Sequence, residues 1–168
     1  MGEEGRARYR QRVRIRAETP EDYPEIDNIV RAAYGRVAEA ALIDALRSDG
    51  AVQLALVAEW QQEIVGHVLL ATLDAPFSAC AMAPLAVAPL WQDQGIGTAL
   101  VMAALEAHPC NAVFVRGAEE YFGRFGFSSA KAAGYACAFA GPSLLVRAAD
   151  DVPPTGQLFY PQAFAALA

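Results

Sequence analysis

The stretch Pro84-Leu85-Ala86-Val87-Ala88-Pro89-Leu90-Trp91-Gln92-Asp93-Gln94-Gly95-Ile96-Gly97-Thr98 decides the fold. An apolar strand stops at Pro89, and a short loop turns into a helix at about Gly95. The first turn of a helix presents unpaired N–H groups and a partial positive charge. Gly95 and Gly97 remove side chains where a ligand must approach the backbone. Together these features make a seat for a pyrophosphate. The strand edge before it offers the backbone of Leu85, Ala86 and Val87 to an amide-bearing chain. A Gly-x-Gly alone also occurs at plain strand–helix turns. The dinucleotide fingerprint G-x-G-x-x-G fails because position 100 is Leu, and there is no Gly-Lys-Ser/Thr for a nucleotide triphosphate loop.

Outward from this segment the pattern is mixed. The residues from 95 to 107 predict a helix buried against a sheet, with Ile96, Ala99, Leu100, Ala103 and Ala107 on one face. Upstream, residues 13–17, 53–59, 64–73 and 79–88 read as strands. A helix begins near Asp22, with Glu25 three residues on and Pro24 in the first turn, and a second covers 37–47 before Asp49-Gly50. Downstream come a strand over 112–115, a short helix over 119–124, and strands over 127–130, 143–148 and 157–160. The order β-α-α-β-β-β-α-β-α, followed by these candidate terminal strands, predicts a mixed α/β fold whose central sheet is flanked by helices.

The chain has 168 residues, 55% of them apolar and 19% charged, enough for one buried core. Residues 1–12 read as a flexible N-terminal arm, and residues 13–168 as one domain. Six of the 13 basic residues fall within residues 1–16, leaving seven against 17 acidic ones in the body. An acidic body repels phosphate backbones, so nucleic acid is not an expected partner. An acidic surface attracts a cationic amine, or serves solubility alone. No apolar run spans a bilayer and no secretory leader is evident, so neither membrane association nor export is expected and the location reads as cytoplasmic. Cys80, Cys110 and Cys137 read as buried structural thiols without a catalytic role, and no metal-ligand spacing occurs.

Gln92-x-x-Gly95-x-Gly97 resembles the R/Q-x-x-G-x-G/A turn of the GCN5-related N-acetyltransferase (GNAT) family. Tyr121-Phe122-Gly123-Arg124-Phe125-Gly126-Phe127 is similar to that family's aromatic helix before a Gly-Phe pair. With Gly66-His67-Val68-Leu69-Leu70, this second motif looks closest to a bacterial predicted-acetyltransferase branch of unsettled substrate. The resemblance covers roughly residues 13–148. It implies a largely antiparallel GNAT-like sheet and acetyl-CoA as donor. It implies backbone contacts from Leu85, Ala86 and Val87 to the pantetheine arm. Gln92 belongs to the turn, and Asp93, Gln94, Gly95, Ile96, Gly97 and Thr98 would hold the pyrophosphate. It implies direct transfer to an amine, in a small molecule or a peptide, without a metal. A homodimer stays open.

Catalytic roles are less determined. The family often places a tyrosine four residues before the Gly of the second motif, where its phenol protonates the departing thiolate. Here that position is Phe122, expected against the cofactor, and the tyrosine is Tyr121. One residue rotates a side chain by about 100° on a helix, so Tyr121 is either the acid or a packing residue. The candidate general bases are His67, Glu59 and Glu63, with water chains as the alternative. His108 reads as a helix C-terminal residue favoured by the dipole. The Val87 amide is the expected oxyanion donor. The rival readings are a CoA-binding module with little or no turnover, and an interaction domain whose glycines are only structural.

Overall fold

The computed structural model describes residues 12–107 and 110–168, so the expected N-terminal arm, apart from Arg12, and His108 lie outside the described residues. Strands β1 (Arg14–Ala17), β2 (Val52–Trp60), β3 (Glu63–Leu73), β4 (Ala79–Val87), β5 (Ala112–Arg116) and β7 (Leu144–Ala148) form one sheet in the order β1-β2-β3-β4-β5-β7. All neighbours are antiparallel except β4 and β5. Helices α1 (Tyr23–Tyr34) and α2 (Ala38–Ser48) cover one face, and α3 (Ile96–Ala107) covers the other. The mixed, largely antiparallel α/β architecture expected from the sequence is therefore present.

Each face buries its own apolar set. Ile26, Val30, Ile43 and Leu46 pack with Val57, Leu69 and Phe114 on the α1/α2 side. Leu100, Val101 and Ala104 pack with Val65, Val68 and Met82 on the α3 side. The buried stripe of α3 is Ile96, Leu100, Val101 and Ala104, whereas Ala99 and Ala107 face solvent. In a helix this rich in alanine, periodicity fixes the buried face only through Ile96, Leu100 and Val101. Each fully buried Leu or Val there contributes about 1.5–3 kcal/mol.

Several expected elements differ. Pro20–Asp22 form a 3-10 turn ahead of α1, and the Thr19 N–H donates to Asp22 Oδ2 at 2.8 Å. Asp22 stands at the N-cap of α1, but its carboxylate is drawn backward to Thr19 and Arg16. Glu25 does not complete a capping box; it accepts the Ile64 N–H at 3.0 Å and ties α1 to the β2–β3 hairpin. Residues 127–130 are not a strand. Ser128 accepts the Lys131 N–H and starts the short helix α5 (Ser129–Ala132). Strand β8 (Gly156–Gln157) pairs in parallel with β6 (Tyr135–Ala136) in a two-residue ladder.

The cysteines also correct the expectation of free thiols. Cys80 and Cys110 form a disulfide with Cα atoms 6.3 Å apart, because β4 and the entry to β5 run side by side. Cys137 is free and packs partly buried against the core.

Arg16 holds the start of the fold together. Its Nη1 and Nη2 donate to Asp22 Oδ2 and Oδ1 at 2.7 and 2.9 Å. This pairing, helped by the Thr19 N–H and opposed by burial, lowers the Asp22 carboxyl to about 2. A depressed carboxylate contributes stability that is present above its unfolded value of about 3.9 and is lost as pH falls through the folded value. The urea midpoint of the wild type should therefore drop between about pH 4 and pH 2. Asp22→Asn should start lower and flatten over that window. Parallel pH curves for the two proteins would contradict this role.

Candidate active site

The site forms where β4 and β5 part. Their parallel ladder covers Ala79–Ala81 against Ala112–Phe114 and stops there. Beyond it, β4 stays paired only with β3, through Leu85 to Val68, Ala86 to His67 and Val87 to Gly66. The β3–β4 register shifts between Val68 and Leu70, which face Leu85 and Met82, so one extra residue of β4 bulges at 83–84. The Ala88 N–H donates to Val65 C=O at 2.8 Å. Alternation along the strand then turns the backbone groups of Ala86 toward β3 and those of Leu85 and Val87 toward the gap. Two bonds agree with this. Tyr34 donates its hydroxyl to Leu85 C=O at 3.0 Å, and Gln92 Nε2 donates to Val87 C=O at 3.1 Å.

That Gln92 bond folds the loop back onto the strand end. Asp93 and Gly95 take left-handed φ of 61° and 83°, and Gln94 Nε2 donates to Leu90 C=O at 3.4 Å. The glycine at 95 suits that backbone without strain. The first bond of α3 runs from Ala99 N–H to Gly95 C=O, so the amides at 96, 97 and 98 precede the helical ladder. A Cβ on Gly97 would lie 3.2 Å from the Tyr121 hydroxyl and 3.7 Å from Val87 Cγ2. The glycine keeps a cradle open between helix start, strand and Tyr121.

Two cavities meet at this gap. The first, about 1070 Å³, follows the loop, the α3 N-terminus and the outer part of β4. The second, about 750 Å³, lies between β4, the end of β5 and the C-terminal segment. They share Tyr34, Leu85 and Tyr121.

The residues singled out by the sequence separate into two groups. Leu85, Ala86, Val87 and all of residues 92–98 line the first cavity. Tyr121 lines both cavities, its hydroxyl 3.3 Å from Thr98 Oγ1. It belongs to α4 (Glu119–Phe122), and its neighbour Phe122 turns inward. Phe122 is buried, with edge-on contacts to Tyr121 and Phe127, and a Cβ on Gly117 would strike its ring at 2.5 Å. Phe122 borders the second cavity, together with Met82 to Leu85 of β4, and is not among the residues lining the first.

The candidate bases are not brought to the gap. His67 points to the α1/α2 side and is fully buried, its Nε2 3.1 Å from Glu18 Oε1. Glu18 also accepts Arg47 Nη2 at 2.6 Å. Burial pushes the Glu18 carboxyl up, but His67 and Arg47 together hold it below the usual carboxylate value. This network ties β1, β3 and α2 and touches neither cavity. Glu59 accepts Arg14 and Arg16, and Glu63 stands exposed at the β2–β3 hairpin.

Sequence reasoning missed three residues. Arg124 is the one basic side chain lining the first cavity among the described residues. Its guanidinium carbon lies 4.5 Å from the Tyr121 ring centroid, and its Nη2 reaches Thr98 Oγ1 at 3.5 Å. Its place inside the 121–127 motif, one turn from Tyr121, was the available signal. Glu39 and Tyr34 carry no sequence signal of their own. Glu39 is buried at the second cavity and is bound by Arg36 through both carboxylate oxygens.

Comparison with known proteins agrees with this geometry. The Acetyltransferase (GNAT) family matches residues 13–127. The uncharacterized N-acetyltransferase YhbS of Escherichia coli K12 is 35% identical over 123 residues, covering 69% of this chain and 74% of that protein. The crystal structure of Escherichia coli YhbS in complex with CoA superposes with a TM-score of 0.84 at 33% identity, over 91% of this chain and 92% of that one. A GNAT family acetyltransferase from Brucella melitensis in complex with acetyl-CoA gives 0.77 at 27% identity, over 90% and 97%. The chain belongs to the GNAT acetyltransferase family. No helix among the described residues is long and apolar enough to cross a membrane, and no group of three or more His, Cys, Asp or Glu there could hold a metal.

Proposed function

We propose that this chain is an N-acetyltransferase that passes the acetyl group of acetyl-CoA to an amine by direct attack in a ternary complex. The observation that carries the proposal is the continuous path from the open N-terminus of α3, along the free edge of β4, to the junction of two cavities. In this reading the amides of residues 95–98 receive the pyrophosphate, where the helix dipole favours an anion. Arg124 adds a positive charge beside them. The backbone of Leu85 and Val87 holds the pantetheine arm, and Ala86 contributes only its methyl group. Leu85 C=O has a second lone pair for an amide N–H while it accepts Tyr34. The Val87 N–H faces the gap and stabilises the thioester oxygen as charge develops on it.

Acetyl-CoA supplies an activated acyl carbon. The chain supplies position, a gap between parted strands and a donor. No described carboxylate or imidazole in the second cavity stands ready to take the amine proton, since Glu39 is engaged by Arg36. The acceptor therefore enters as the neutral amine.

Tyr121 follows as a wall of the cofactor cleft. Its hydroxyl is engaged by Thr98 at the start of α3. Tyr121→Phe should change the maximal rate by less than about threefold, against the 100-fold or greater loss typical when a general acid is removed. A steady-state comparison at saturating acetyl-CoA measures this, and a large loss would make the phenol the acid.

The proposal as a whole is tested by acetyl-CoA-dependent thiol release with a panel of amines, alongside CoA calorimetry. Binding with release supports it. Binding without release from any amine would reduce the chain to a CoA-binding module.

A further inference from the structure

The second cavity has a chemical character of its own. Phe139 and Phe164 line it over the fully buried Phe114, an apolar surround for a large apolar group. Its charges are unequal. Arg36 and Arg116 line it, with Glu39 as the one acidic residue among the described residues. Arg36 holds Glu39 from Nε to both oxygens, at 2.9 and 3.1 Å, so that pair is closed on itself. Arg116 is different. Its guanidinium carbon lies 4.5 Å from the Phe139 centroid, and Nη1 donates to Leu167 C=O at 3.3 Å. A guanidinium has five N–H donors in a planar fork suited to a carboxylate. Burial holds the nearby Tyr160 hydroxyl well above its ordinary value, so it stays protonated and able to donate. Among the described residues the cavity thus offers an aromatic wall, one available cation and hydrogen-bond donors, with no open carboxylate to hold an ammonium.

We propose that the acceptor is a free α-amino acid with a large apolar side chain, its carboxylate on Arg116 and its neutral amine turned toward Leu85. This rests on the acetyltransferase reading above and narrows it. The cavity thereby opposes the sign of the acidic body and excludes polyamines. In the reaction the amine nitrogen bonds to the acetyl carbon and the carbon–sulfur bond breaks. Sulfur leaves with the bonding pair and takes up one proton, equivalent to the one nitrogen gives up. The products are the N-acetyl amino acid and CoA.

The test compares L-phenylalanine with phenethylamine, which lacks the carboxylate, with glycine, which lacks the apolar group, and with spermidine. Thiol release is corrected for each amine's neutral fraction. The kcat/KM for phenylalanine should exceed that of the other three by about tenfold or more, the scale of a hydrogen-bonded charge pair. Arg116→Gln should collapse the phenylalanine-to-phenethylamine ratio, and Arg116→Lys should restore part of it. A preference for phenethylamine, glycine or spermidine overturns the acceptor class and leaves the acetyltransferase reading standing, as does a ratio insensitive to Arg116→Gln. Calorimetry of phenylalanine against CoA-loaded protein separates the remaining cases. Binding that Arg116→Gln weakens, with no thiol release, upholds the ligand class and overturns transfer. No binding and no release overturns the class and transfer together.

Discussion

Gly97→Glu should weaken CoA binding by about 100-fold or more, close to 3 kcal/mol, while the protein stays folded. A side chain at 97 enters the space bounded by the Tyr121 hydroxyl at 3.2 Å and Val87 Cγ2 at 3.7 Å. The glutamate then places a negative charge where the first-turn amides of α3 are proposed to receive phosphate. Juxtaposed like charges at a binding surface cost several kcal/mol, and the anion also takes up the partial positive charge of the helix start. Gly95→Glu should act in the same direction, with about 1–3 kcal/mol of backbone strain added at φ 83°. Calorimetric titration with CoA measures both, with far-ultraviolet circular dichroism to confirm folding. Undiminished affinity in a folded variant would remove the phosphate seat from residues 95–98.

Gly66→Val should lower stability by about 2–3 kcal/mol, the upper part of the range for overpacking a filled core. Gly66 on β3 lies directly beneath α3. A Cβ there would meet Leu100 Cδ1 at 2.9 Å, Ile96 Cγ2 at 3.1 Å and Ala86 C=O at 3.3 Å. Two of those atoms belong to buried side chains with little room to retreat, and the third is strand backbone. The variant must lift the first turn of α3 away from the sheet. CoA should therefore protect it less against heat than it protects the wild type. Urea unfolding gives the stability change. An unaltered midpoint would mean that α3 is not seated on β3 as described.

How much of this was legible in the sequence depended on distance along the chain. Residues 84–98 form one contiguous signal, because a strand stop, a left-handed turn and a helix start are all local. The hairpin strands and the two helices before them also follow local periodicity. The parting of β4 and β5 does not. It depends on a parallel ladder that ends after Ala81 and Phe114, a register set by packing on both faces. The Cys80–Cys110 pair depends on the same alignment and was hidden for the same reason. His67 shows the limit most clearly. Its position on β3 was legible, but its partner Glu18, and the Arg47 that donates to Glu18, come from a strand end and a helix far away in sequence. They make it part of a buried network that lines neither cavity. The Tyr121–Phe122 alternative turns on a rotation of one residue in a four-residue helix, which packing sets: Phe122 lies against Gly117, and Tyr121 lines both cavities. The two-residue ladder of β6 and β8 is too short to leave a periodic trace.

The central claim is that CoA lies across the start of α3 and along the open edge of β4. Titrating CoA into isotope-labelled protein and following backbone amide resonances tests it most directly. The account predicts the largest shifts at Gly95, Ile96, Gly97 and Thr98 and at Leu85 and Val87, with Ala86 and the His67–Glu18 network little changed. Saturable shifts centred elsewhere, or none at the α3 N-terminus, would contradict it.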